Sequence, residues 1–154
     1  MLADVLDVLL VEADPLEAEL LLRSLGQLAP AERIGVARDG EEALDYLLGR
    51  NAFRHRQGAP LPPLVLLELR LPRLDGIEVL RTLRASPRTA TVPIVMLSSA
   101  TESRELAQCY QAGANSCIVK PIEFRALAET LRGTGRYWLR LNRPAPSGAG
   151  AASG

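Results

Sequence analysis

Leu64 to Gly76 reads L-V-L-L-E-L-R-L-P-R-L-D-G, and no other stretch constrains the fold as strongly. Val65, Leu66 and Leu67 do not alternate with polar residues, so they predict a strand buried on both faces. Strands of that kind belong to parallel sheets covered by helices on each side. The run then sets one acid, Glu68, at the strand's end. A carboxylate there is costly unless it is paired or opens to water. The carboxyl edge of the strands is also where open α/β sheets place their chemistry. Glu68 is therefore either a charge that marks the strand end or one member of a site on that edge.

The rest of the chain alternates in the same style. Val5 to Val11 predicts a first strand. Asp14 follows as a helix N-cap, with Pro15 at the first helical position and Glu17 completing a capping box. Leu16, Leu20, Leu21 and Leu25 keep helical spacing to about Leu28. Ile34 to Ala37 predicts a second strand. Asp39 and Glu42 open a helix that ends at Gly49. Arg50 to Pro63 is long, locally basic and rich in proline, which excludes an interior strand or a regular helix. After the strand that carries Glu68, Asp75 caps a helix with Glu78 three residues on. Pro93 to Leu97 predicts a fourth strand ending at Ser98-Ser99-Ala100. A helix runs from about Glu102 to Ala112, and Ser116 to Val119 predicts a fifth strand that ends at Lys120-Pro121. The last helix starts near Ile122 and reaches toward Leu141, with a bend near Gly133 and Gly135. Five strands alternating with five helices predict a doubly wound α/β fold around a five-stranded parallel sheet.

Composition narrows the function classes. The chain has 154 residues, 47% hydrophobic, with 18 basic and 18 acidic residues, so one domain with an ordinary core is expected over 1–143. Zero net charge gives no global preference for nucleic acid. No apolar run approaches the ~20 residues of a membrane span, and the N-terminus lacks signal-peptide features. A cytoplasmic location is the expectation. Cys109 and Cys117 have no metal or redox spacing and are expected as reduced thiols. Residues 144–154, made of Pro, Gly, Ala and Ser, predict a disordered tail.

On the predicted edge stand Glu12, Ala13 and Asp14 from strand one, Glu68 from strand three, Ser98 and Ser99 from strand four, and Lys120 from strand five. Carboxylates, a hydroxyl and a lysine meeting there are far more specific than any one of them.

V-L-L-V-E with a following acid and proline, D-G-x-E-A-L, L-x-L-P-R-L-D-G, P-I-V-M-L-S-S and A-G-A-N-S-C-I-V-K-P together resemble the receiver domain of bacterial two-component response regulators, over about residues 5 to 132. The long loop before strand three and Tyr137-Trp138-Leu139-Arg140-Leu141 look more specifically like regulators paired with bacterial phytochromes. The resemblance implies a (βα)5 flavodoxin-like receiver with strand order 2-1-3-4-5, no enzyme activity of its own, and a sensor histidine kinase or bacterial phytochrome as partner. It also implies an acceptor aspartate after strand three, two acids after strand one that hold Mg²⁺, and a Ser/Thr and a Lys that bind phosphoryl oxygens. Ser98 and Lys120 match. Glu68 stands at the acceptor position, and Ala13 stands where the direct metal ligand is expected, leaving Glu12 as a remnant.

Both departures bear on chemistry. Ala13 supplies no oxygen to an ion that demands octahedral oxygen ligation. Glu68 is longer than Asp by about 1.5 Å, one carbon–carbon bond, and a misplacement of ~1 Å can cost about a hundredfold in a positioned reaction. Phosphoryl transfer depends on positioning and charge neutralisation. The expectation is weak or absent Mg²⁺ binding, no cofactor, and no phosphorylation by the usual route. Asp14 belongs to the acidic pocket by position, but its context favours a cap. Glu68, read as ionised at neutral pH, can pair with Lys120, an attraction of about 4 kcal/mol at ~4 Å before desolvation. Two outcomes stay open: partial imitation of the phosphorylated state, or a receiver that keeps only its shape.

Other residues are weighed beside this site. His55, the only histidine, lies in a proline-flanked loop unlike a phosphodonor. Cys117 occupies the place of the aromatic that rotates in many receivers, so that part of the switch is expected to be absent. Lys120-Pro121 is a plausible cis peptide by the resemblance. Tyr137, Trp138, Leu139 and Leu141 form either a last turn packed on its own domain or an arm that packs on a second copy; homodimerisation is the expectation. The leading reading is a stand-alone, atypical receiver that signals by protein–protein contact. The rivals are a receiver still phosphorylated weakly on Glu68 and a small flavodoxin-like cofactor binder. The latter lacks the glycines of a phosphate-cradling loop.

Overall fold

The apolar run predicted as a buried strand is the centre of the sheet. The computed structural model describes residues 2–99, 102–121 and 123–146. Its strands are β1 (Val8–Val11), β2 (Ile34–Ala37), β3 (Leu64–Glu68), β4 (Ile94–Ser98) and β5 (Ser116–Val119). They form one parallel sheet in the order β2-β1-β3-β4-β5, the doubly wound arrangement that the alternation predicts. The helices are α1 (Pro15–Leu25), α2 (Gly40–Leu48), α3 (Gly76–Ala85), α4 (Ser103–Gln111) and α5 (Phe124–Arg136), followed by a π-helical turn at Tyr137–Leu141.

Alternation along the strands divides the core into two layers. Leu9, Val11, Val65, Leu67, Ile94 and Met96 face α2, α3 and Cys109 of α4. Val8, Leu10, Leu64, Leu66, Val95 and Leu97 face α1 and α5. By the same parity Glu12, Glu68 and Lys120 continue the α1/α5 face, whereas Ser98 continues the opposite one.

Local chemistry sets the helix ends. Asp14 accepts from Leu16 N at 2.9 Å, and Asp39 accepts from Glu42 N at 2.8 Å. Glu42 reaches back to Arg38 N at 2.9 Å, so its predicted box is closed. Two other expected caps are corrected: Asp75 makes no side-chain cap bond, and the Glu17 side chain bonds Lys120 instead of closing a box at α1. The first strand begins at Val8, not Val5, and α1 ends at Leu25, short of Leu28. The expected bend at Gly133 and Gly135 is absent; α5 runs through both, and the change to π-helical winding comes at Tyr137. Gly135 is needed for contact between α1 and α5, because a Cβ there would sit 2.5 Å from Leu28 Cδ1. Ile122 and the tail residues 147–154 lie outside the described residues. Among the described residues no peptide bond is cis, Lys120-Pro121 included, which corrects the cis expectation.

The loop at 50–63 contains a short 3-10 segment, Asn51–Arg56, before its prolines. One of its three arginines, Arg56, is not part of a free basic surface. Arg56 is buried over the Tyr46 ring, 3.5 Å from its centroid, and donates to the carbonyls of Asp4, Tyr46 and Pro60. Arg88 donates to the carbonyls of Leu47, Arg56 and Ala59. His55 pairs with Asp4 at 2.9 Å. The loop is fastened by cations to the backbone, which offsets the cost of burying both.

Candidate functional site

Four side chains meet at the carboxyl edge. Glu68 is the last residue of β3, and the backbone delivers Glu12 and Lys120 by extending the sheet one residue past β1 and β5. Glu12 N donates to Ala37 O at 3.0 Å, Leu69 N to Leu97 O at 2.9 Å, and Lys120 N to Ser98 O at 2.7 Å. Gly76 lets α3 start directly against the end of β3: a Cβ there would lie 2.4 Å from Glu68 O. That close approach is the physical reason for glycine in the L-D-G that follows Glu68.

Lys120 is the hub. Its Nζ lies 2.7 Å from Glu68 Oε2, 2.9 Å from Glu17 Oε1 and 4.0 Å from Glu12 Oε2. The Lys120 and Glu68 side chains are each 7% exposed, Glu12 4% and Glu17 37%. Glu12 Oε1 accepts from Asp14 N at 3.0 Å, while Oε2 has no hydrogen-bond partner. The pairing of Glu68 with Lys120 is the one read from the sequence. Glu17 is the member that reading missed. It sits in the first turn of α1, directly above the edge where β1 ends, so its position held the signal; its value as a capping residue obscured it.

The electrostatics follow from burial. Desolvation pushes the Glu68 carboxyl up to about 7, against the pull of the Lys120 hydrogen bond. Glu68 is thus not the fully ionised acid expected from its type. Burial also raises Glu12, opposed by the Asp14 amide and Lys120. For Lys120, burial works downward, but the hydrogen bonds with Glu68 and Glu17 outweigh it and its pKa is raised. Glu12 and Glu68, both buried, therefore take up protons more readily than exposed glutamates do.

The donor set does not suit a magnesium ion. Ala13 brings no side-chain oxygen. Asp14 is exposed and spends its carboxylate on the α1 cap, and Glu68 Oε2 is held by the ammonium. No group of three or more His, Cys, Asp or Glu residues among the described residues is placed to hold a metal ion. Two cavities, of about 750 and 530 Å³, are lined by none of these residues and border the amino ends of β3 and β4.

The profile of the response regulator receiver domain matches residues 8–132. The chain belongs to that family. A relative of this receiver, the probable methanogenesis regulatory protein FilR2 of Methanothrix harundinacea, is 39% identical over 141 residues, covering 91% of this chain and 88% of its own. Among solved structures, the phosphorylated cyanobacterial phytochrome response regulator RcpA superposes with a TM-score of 0.82 at 28% identity, covering 93% of this chain and 99% of its own. The bacteriophytochrome response regulator AtBRR is 40% identical with a TM-score of 0.69, covering 90% of this chain and 99% of its own. The receiver is therefore of the two-component type and related to phytochrome response regulators.

The remaining sequence candidates are placed as follows. Ser98 is buried at the end of β4, on the opposite sheet face by parity. Cys117 lies on β5, partly buried against the α4 side of the core. The C-terminal turn divides: Trp138 and Leu139 pack on the α1/α5 core, while Tyr137 and Leu141 are exposed. Tyr137 stacks edge-on against Trp138, with ring centroids 5.0 Å apart. No helix among the described residues is long and apolar enough to cross a membrane.

Proposed function

We propose that this receiver carries a self-neutralised pocket and signals by protein–protein contact without ordinary phosphorylation. One observation carries the reading: Lys120 Nζ is 2.7 Å from Glu68 Oε2, so the lysine that the family aims at phosphoryl oxygens is already engaged by the residue at the acceptor position. Ala13 supports it, because an incoming phosphoryl group would lack the direct metal ligand that neutralises its charge. Glu68 stands in for a charged acceptor only in part. A phosphoryl group brings about −1.5 to −2 charge, whereas Glu68 is half protonated near neutral pH and shares its lysine with Glu17. Glu12, Glu68 and Lys120 form the remnant pocket, with Ser98 at the same sheet edge on the other face; Cys117 removes the rotating aromatic, and Mg²⁺ binding is weak.

By likeness to the phytochrome regulators, the partner is a sensor histidine kinase of the bacterial phytochrome class. The exposed Tyr137 and Leu141 provide the arm for a second copy. Sedimentation at micromolar concentration should then give twice the chain mass, and a single-chain mass would remove the arm from the reading. The deciding experiment is a titration with Mg²⁺ and beryllofluoride, followed through Trp138 fluorescence, together with intact mass after incubation with an acyl phosphate. No saturable fluorescence change and no phosphoryl adduct are expected. Saturation at about millimolar Mg²⁺, or an adduct on Glu68, would establish the rival in which the site is still phosphorylated weakly.

A further inference from the structure

Cys109 and Cys117 have no telling spacing in the sequence, yet the fold sets them against each other. Cys109 lies in the last turn of α4, and Cys117 lies on β5, paired with Met96 of β4. Both are free thiols, and Cys117 packs against the core cluster that holds Cys109, near enough for each thiol to act on the other's proton affinity. The Tyr110 phenol reaches the Cys117 side chain and accepts from its amide at 3.3 Å. Cys109 is fully enclosed, while Cys117 is partly exposed. Their place in α4 gives the contact weight. Cys109 is the buried residue of that helix, with Ala112 buried at its C-cap, so the end of α4 that holds Cys109 is the end packed into the core.

We propose that Cys109 and Cys117 are an intramolecular disulfide site whose oxidation fastens α4 to β5. The oxidant class is a small-molecule disulfide. The Cys117 thiolate attacks one sulfur of the oxidant, forming a mixed disulfide and releasing one small thiolate. Cys109 then loses its proton, and its sulfur attacks that of Cys117, breaking the mixed disulfide and releasing the second thiolate. Two protein thiols are oxidised to one disulfide, the oxidant is reduced to two small thiols, and the two protein protons end on them. Burial pushes both thiols up, Cys117 to about 12, so the first step is slow at neutral pH and quickens in alkali. Once the mixed disulfide exists, the second sulfur is held in the same packed cluster. The closed loop joins α4 to the strand that leads directly into Lys120, and so couples thiol state to the edge that holds the charged pocket.

The reduced full-length chain is incubated with excess oxidised glutathione at about pH 8, alkylated under denaturing conditions, weighed and mapped without reduction. The expected product has no alkylated cysteine, a mass about 2 Da below the reduced chain, and a peptide linking 109 to 117. Amide exchange across α4 should slow at least about tenfold, the protection expected when a cross-link restrains local opening. The variant Cys117→Ser, altered at the partly exposed position, should keep one alkylatable thiol and show no slowing. Two alkylated thiols, a glutathione adduct that persists on Cys117, or a disulfide between two chains would each overturn the site. Unchanged exchange in α4 despite the internal disulfide would overturn its fastening role.

Discussion

Replacing Glu68 by glutamine should leave the protein about as stable in mild acid and make it more stable in mild alkali. The folded chain holds the Glu68 proton to about 7, against 4.5 for the group when it is not buried. Between those values the folded state binds a proton that the unfolded state has released, so stability falls as pH rises. This contribution is full below 4.5 and is lost as pH passes through about 7. At about 1.4 kcal/mol for each tenfold change in proton affinity, it amounts to roughly 3 kcal/mol. Glutamine keeps the shape, offers Lys120 an amide oxygen and has no proton to lose. The advantage of Glu68→Gln should therefore be near zero at about pH 4 and approach 3 kcal/mol at about pH 8.5. Glu12, also raised by burial, contributes with the same sign to both proteins. Urea unfolding followed by Trp138 fluorescence across this range gives the two curves. A glutamine variant that is less stable than the parent above neutral pH would refute the reasoning, since ionised Glu68 would then gain more from Lys120 than burial costs it.

Three further substitutions test the parts of this frame. Lys120→Met leaves Glu12 and Glu68 buried without their cation, and should cost about 3–5 kcal/mol at neutral pH in urea unfolding, with the loss shrinking near about pH 5 as both acids take up protons. Gly76→Ala forces a methyl against the Glu68 carbonyl, 2.4 Å away, and should lower stability by about 1–3 kcal/mol in thermal unfolding. Arg56→Met abandons the carbonyls of Asp4, Tyr46 and Pro60, and should cost about 2–4 kcal/mol; limited proteolysis should then cut within 50–63 in the variant and not in the parent.

The unbroken apolar character of Val65 to Leu67 was enough to predict a buried parallel strand, and the acid that follows was enough to mark its carboxyl end. Asp14, Asp39 and Glu42 announced two helix starts correctly. These features were legible because each depends on residues within about four positions, where periodicity and capping operate. Asp75 shows the limit of that logic: a residue of the right type, correctly placed, makes no cap bond, because the start of α3 is governed by how closely Gly76 lies against β3.

What the sequence alone determined was the alternation of elements, the sheet they build and the arrival of Glu12, Glu68 and Lys120 at one edge. Only the tertiary structure decided how those side chains share their charges. Glu17 and Lys120 are separated by 103 positions, so no local pattern records that they meet, and a glutamate that could have closed a helix cap instead competes for a lysine. The proton affinity of Glu68 was equally out of reach, since it is a balance between burial and neighbours that exists only after packing. The same holds for Arg56, which reads as a surface charge in a basic loop and is buried over Tyr46. It holds as well for two cysteines whose spacing means nothing until α4 is laid on β5.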